Sequence, residues 1–145
     1  MILRRARFLV VVLGLAAIVA GCSDPDRRAA EYIDSGMKYL SEGQYEKARV
    51  EFKNAGRIKP TDPEIRYRLA LVDEAQGNLR AAFVGFREAE SQNPRYRPAL
   101  LKLSEYFLAG ERYAEVDKRL AIIAEDTPDD PGLHALKAAL HLRRG

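Results

Sequence analysis

From about residue 29 to the end of the chain, apolar residues recur three and four positions apart, with polar residues between them. That spacing puts one apolar stripe on a helix. It predicts seven amphipathic helices, at about 29–42, 45–58, 63–76, 79–92, 97–110, 113–126 and 131–144. No stretch alternates apolar and polar residues as a half-buried strand would, so the expected class is all-α. The pattern also repeats. Ala48, Ala82 and Val116 stand 34 residues apart, as do Phe52, Phe86 and Leu120, and again Ala55, Ala89 and Ile123. Pro60, Pro94 and Pro128 keep the period, each just ahead of a new helical pattern. Gly43 and Gly77 sit mid-repeat, with Glu111 in the third copy. A fixed period of this length marks a solenoid. Its repeats run over 29–62, 63–96 and 97–130, with a partial repeat or capping helix at 131–145.

The punctuation has a physical reading. Glycine in the turn supplies the positive φ that ends a helix cheaply. Proline near a helix start loses an N–H that has no partner there. Small residues at 48, 55, 82 and 89 let helix backbones approach closely. These positions resemble the tetratricopeptide repeat (TPR) over about residues 29–145. The first copy carries Tyr32, Gly36, Tyr39, Ala48, Phe52, Ala55 and Pro60. The second carries Leu69, Ala70, Ala82, Phe86, Ala89 and Pro94, but has Arg66 and Asp73 where the family places aromatic rings. The third has Leu100, Leu103, Phe107, Leu120 and Pro128, with Ser104 and Val116 at the small positions. Three copies in register imply a TPR solenoid of antiparallel helix pairs.

Residues 1–21 follow a different rule. Arg4, Arg5 and Arg7 precede an apolar run from Phe8 to Ala20, which is shorter than the ~20 residues a membrane-spanning helix needs. A basic start, a short apolar run and small residues at its end read as an export signal. Val19-Ala20-Gly21-Cys22 resembles the lipobox of bacterial lipoproteins. That resemblance implies cleavage before Cys22, lipidation of its thiol and acylation of the new amino terminus. Residues 22–28 then form a short linker. Ser23 stands where many lipoproteins retained in the inner membrane carry aspartate, so the expected place is the periplasmic face of the outer membrane.

Removing the signal changes the electrostatics. The whole chain has 24 Lys plus Arg and 21 Asp plus Glu, for a formal charge of +3. The signal holds three of the arginines and no acid, so the remainder is formally neutral. The basic surplus therefore gives no argument for nucleic-acid binding. Cys22 is the sole cysteine, so no internal disulfide forms and stability must come from packing.

Candidate chemistry is sparse. His134 and His141 lie seven apart on one helix, too far for the i, i+4 spacing of paired zinc ligands. Their register matches Tyr32 and Tyr39, which makes them interhelical packing residues. Serines lack the glycine-flanked turn of an exposed nucleophile, and no glycine-rich phosphate loop occurs. The reading is no enzyme, no cofactor and no metal. Gly145 falls on the turn position of Gly43 and Gly77, which reads as the N-terminal piece of a longer array. Against that, His134, Lys137 and His141 form a polar stripe suited to an end cap.

What remains is recognition. First helices of stacked TPR pairs line a concave groove, and carrying over the family's groove positions gives Ile33, Met37, Leu40 and Ser41 in the first copy. The second gives Glu64, Tyr67, Leu71, Glu74 and Ala75, and the third Leu101, Glu105, Leu108 and Ala109. This mostly apolar stripe suits a helix or extended segment of a protein partner. The Lys and Asn set with which some TPR domains clamp a terminal carboxylate is missing. The chain thus reads as a membrane-anchored scaffold for protein–protein interactions. Two groups of bacterial TPR lipoproteins offer resemblances. One accompanies exopolysaccharide export and PEP-CTERM sorting, and the segments EFKNAGRIKP and GNLRAAFVGFREAESQNP look most like it. The alternatives are the shorter TPR lipoproteins of pilus-secretin assembly and a purely structural spacer.

Overall fold

The computed structural model describes residues 24–145, which form seven helices and no strand. They are α1 Pro25–Ser41, α2 Tyr45–Ile58, α3 Pro63–Ala75, α4 Leu79–Gln92, α5 Arg97–Ala109, α6 Tyr113–Asp126 and α7 Pro131–Arg144. The last six fall within a residue of the expected bounds. The first begins four residues early, so residues 25–28 are helix and not linker. The cause is local. The Asp24 carboxylate accepts the Asp26 N–H at 3.1 Å and Pro25 occupies the first turn, where its missing donor costs nothing. The same Asp-Pro device starts α3, with Asp62 accepting from Glu64 at 2.9 Å, and α7, with Asp130 accepting from Leu133 at 2.9 Å. Cys22 and the export signal lie outside the described residues.

Within each repeat the two helices are joined by the same turn. The N–H groups of Gln44, Asn78 and Arg112 each donate to the carbonyl five residues back, of Tyr39, Asp73 and Phe107, at 2.8 Å. This six-to-one closure needs one residue in the left-handed region. Gly43 at φ 71° and Gly77 at φ 78° supply it. In the third repeat Glu111 takes φ 57°, a conformation with a steric cost for a residue bearing Cβ. The period is thus kept in backbone geometry even where the glycine is lost.

α1 packs on α2, α3 on α4 and α5 on α6, and each pair then stacks on the next. Ala48, Phe52, Ala55, Ala82, Phe86 and Ala89 are completely buried, with Val116, Leu120 and Ile123 buried in the third copy. The core, however, is not continuous. Ala48, Phe52 and Val72 form a small cluster, while Ala70, Ala82 and Phe86 belong to a larger one reaching Leu140. The break runs through α3, whose Val72 belongs to the first cluster and whose Ala70 belongs to the second. Phe52→Ala or Phe86→Ala should each cost about 3–5 kcal/mol, read as a lowered denaturation midpoint. Ala82→Leu should cost about 1–3 kcal/mol by overpacking. A midpoint unchanged in all three would mean that the interhelical register is not the one described.

Candidate functional site

The first helices α1, α3, α5 and α7 share one face: α1 touches α3, and α5 touches α7. The expected groove residues lie along it. Ile33, Met37 and Leu40 on α1 are half-buried against the smaller core cluster, and Tyr67, Leu71 and Leu101 half-buried against the larger one. Each therefore serves packing with one side and solvent with the other. Glu105 is exposed. Leu108 is a correction: it is 9 % exposed and belongs to the core, because it joins the buried cluster that α5 shares with α6 and α7. Ser41 is satisfied locally, its hydroxyl donating to the Lys38 carbonyl at 2.8 Å.

A polar network crosses this face between α3 and α5. The Tyr106 hydroxyl donates to Glu74 Oε1 at 3.1 Å, and Lys102 Nζ lies 3.0 Å from Glu74 Oε2 and 3.3 Å from Glu105 Oε2. Partial burial lowers the Lys102 pKa, but the Glu74 hydrogen bond and the Glu105 charge outweigh it and leave it raised. Tyr67 sits beneath this network, its ring centroid 5.5 Å from Phe86 and 5.7 Å from Tyr96. Such a platform presents aromatic and aliphatic area rimmed by ionic groups, which can hold a peptide. Among the described residues no three His, Cys, Asp or Glu side chains gather as a metal site.

His134 and His141 are a second correction. Both are exposed and do not pack between helices, which fits the polar end-cap stripe and not the packing reading. Conversely, sequence reasoning missed Arg119, whose side chain is only 6 % exposed. It packs its guanidinium 4.4 Å from the Phe107 ring centroid. Its Nη2 donates to Glu90 at 3.0 Å, tying α6 to α4, and Nη1 to Glu115 at 3.0 Å. The register of Arg119, one residue before the buried Leu120, was the available signal.

A further feature lies on the other flank. A cleft of about 900 Å³ opens between α2, α3 and α4. Its signal was in the sequence as the missing rings at Arg66 and Asp73. In the third repeat the equivalent positions hold Leu100 and Phe107, and Phe83 meets Phe107 edge-on at 5.5 Å. One repeat earlier, at the positions of that ring pair, Arg49 donates to Asp73 at 2.8 Å. An ion pair with long, thin stems fills less volume than two rings, and the gap stays open.

Two family models match the chain, one described as TPR repeat over residues 36–77 and one as Tetratricopeptide repeat over residues 74–140. Together they span well over half of it, and the chain belongs to the tetratricopeptide-repeat family, whose repeats serve as scaffolds for protein–protein interaction. A curated relative, the type IV pilus assembly protein PilF of Pseudomonas aeruginosa, is 27% identical over 135 residues. The match takes in 88% of this chain and 54% of PilF, so the chain spans about half the length of that relative. A solved structure of Pseudomonas aeruginosa PilF superposes with a TM-score of 0.69 at 26% identity, over 82% of this chain and 53% of that one. The first TPR of RPAP3, bound to an HSP90 peptide, superposes at 0.67 with 18% identity, over 82% of this chain and 95% of that one. The Yersinia enterocolitica type III secretion chaperone SycD, in complex with a peptide of YopD, gives 0.66 at 15% identity, over 86% and 99%. These last two share the fold.

Two half-buried tyrosines give a pH test. Burial, reinforced by Glu64, pushes the Tyr96 hydroxyl up to about 12, and burial with Glu74 does the same for Tyr106. The fold holds both protons, so their contribution is complete below the ordinary value of 10.0 and lost as pH rises from there towards 12. Alkaline titration followed by phenolate absorbance and helicity should show late ionisation coinciding with unfolding. In the Tyr96→Phe/Tyr106→Phe chain that loss should be shallower; an unaltered alkaline limb would refute the assignment.

Proposed function

We propose that this chain is a lipid-anchored scaffold of a bacterial envelope complex, whose concave face binds a helix or extended segment of a protein partner. The observation that carries the binding reading is the half-buried stripe of Ile33, Met37, Tyr67, Leu71 and Leu101 along the first helices. A solenoid that served only as a spacer has reason to solvate that stripe, because contiguous apolar surface invites association. Tyrosine suits such a site through its large area and polar tip. Similarity to PilF favours pilus assembly as the setting. The exopolysaccharide and PEP-CTERM setting rests on the resemblance of two sequence segments alone. Lipidation of Cys22 and residence on the periplasmic face of the outer membrane rest on the lipobox and on Ser23. Among the described residues no helix is long and apolar enough to cross a membrane, and two acyl signals would suffice for stable anchoring.

The groove test uses two variants of the tagged chain in affinity capture from envelope extract. Met37→Glu with Leu71→Glu reverses the chemistry of the stripe, and Lys102→Glu alters its rim at a side chain that is 27% exposed. With circular dichroism and melting unchanged, partner recovery should fall about ten-fold or more in the first variant and fall less in the second. Full recovery in both would leave the spacer reading standing. For the anchor, Cys22→Ser should abolish labelling by a fatty-acid probe and release the chain from the membrane fraction. Continued labelling would end the lipoprotein reading.

A further inference from the structure

The cleft on the flank opposite the concave groove has the makings of a second site. Its floor is apolar, formed by Leu69 and Ala70 of α3 with Val84 and Gly85 of α4. Two of the four large hydrophobic side chains most exposed among the described residues stand at it, Leu79 at 56% and Val84 at 51%. Exposed apolar side chains gathered beside a depression mark an interaction surface.

The charges around the cleft are unbalanced in one direction. Arg49 is satisfied by Asp73 and by Gln76, at 2.8 and 2.6 Å. Arg66 lies 3.7 Å from Glu88. These two pairs use both acids of the lining, Asp73 and Glu88. Lys53 and Arg80, the remaining cations, have no ion-pair partner among the described residues. The floor therefore offers room for a large apolar side chain, and the rim offers two uncompensated positive charges on either side of it: Lys53 from α2 and Arg80 from α4.

We propose that this cleft is a docking site for an acidic peptide segment of a partner protein, which seats one aromatic side chain on the floor and pairs flanking carboxylates with Lys53 and Arg80. The aromatic ring would occupy space that Phe83 and Phe107 fill one repeat further along. A ring from outside thus completes a packing layer that the chain leaves incomplete. The site is independent of the concave groove, because it is built from the second helices α2 and α4 with the back of α3. The two faces can be occupied at once.

The test uses the full chain, purified in detergent, and a fluorescent peptide carrying one tryptophan between runs of glutamate. Anisotropy should report saturable binding. Replacing the glutamates by lysine, or the tryptophan by alanine, should each weaken it about ten-fold or more. Arg49→Phe with Asp73→Phe rebuilds the ring pair of the next repeat inside the cleft and should abolish binding while raising the melting temperature, since packed rings commonly match or exceed a partly buried ion pair. Lys53→Glu with Arg80→Glu changes exposed side chains only and should weaken binding to a similar extent with melting unchanged. If the filled variant misfolds, this second variant decides. Equal affinity for the lysine peptide, or binding untouched by the second variant, would overturn the proposal. So would a chain that ignores the peptide and binds phosphatidylglycerol vesicles through the same two cations, which would make the flank a membrane-facing surface.

Discussion

The close approach of the two helices in each repeat is the constraint on which everything else rests. The first helix carries only a small residue where the second crosses it. Gly36, Ala70 and Ser104 stand at that crossing, one period apart. A Cβ added at Gly36 would lie 2.6 Å from the Phe52 ring, inside any real contact distance. Ser104 fits because its hydroxyl turns back to the Leu100 carbonyl at 2.8 Å and so needs no space or partner elsewhere. With the crossing fixed, Phe52 and Phe86 are driven fully inside, and the left-handed turn follows as the short route back. Even Glu111 accepts the strained conformation to keep that geometry.

Residues away from the crossing are free to vary, and their variation divides the molecule. Between the second and third repeats the stacking layer is aromatic, with Phe83 and Phe107 in contact and Arg119 spread over the Phe107 ring. Between the first and second it is polar, with Arg49 bridging to Asp73 and Gln76, and Gln76 returning to Glu46 at 2.9 Å. A polar layer of this kind is satisfied and directional, but it buries less apolar area and packs less volume. That exchange accounts for the open cleft beside it. A solenoid tolerates it because each repeat answers mainly to its neighbours, and a weak interface does not propagate.

Most of the fold was legible because the same 34-residue pattern is written three times, and six of the seven helices lie within a residue of their expected ends. Periodicity alone starts the first helix four residues late, while Asp24 and Pro25 carry a start signal that appears again at Asp62-Pro63 and Asp130-Pro131. The groove was legible as a face but not as a depth. Leu108 sits in the register of a groove residue, yet it joins the buried cluster that α5 shares with α6 and α7. His134 and His141 failed in the opposite way. Their register is that of the half-buried Tyr32 and Tyr39, but burial needs a covering helix, and register says nothing about whether one is there. The departures at Arg66 and Asp73 were visible, but the volume they leave depends on what Arg49 does across the interface, a contact 24 residues away.

The two flanks of α3 show how one helix can serve two surfaces. Tyr67, Leu71 and Glu74 face the concave side, where Glu74 is held by Lys102 and Tyr106. Leu69, Ala70 and Asp73 face the other, where Asp73 is held by Arg49. Both carboxylates are anchored by a neighbouring repeat, Glu74 by the third and Asp73 by the first, so α3 is pinned from opposite directions by charge-assisted contacts. A helix fixed in this way keeps its apolar residues between the two pins partly free of packing duty. That is why Leu69 and Leu71, two residues apart and on different faces, are both half-buried. The polar substitutions in the second repeat thus do more than weaken a family pattern. They fix the central helix in place while leaving apolar area on each side of it uncovered.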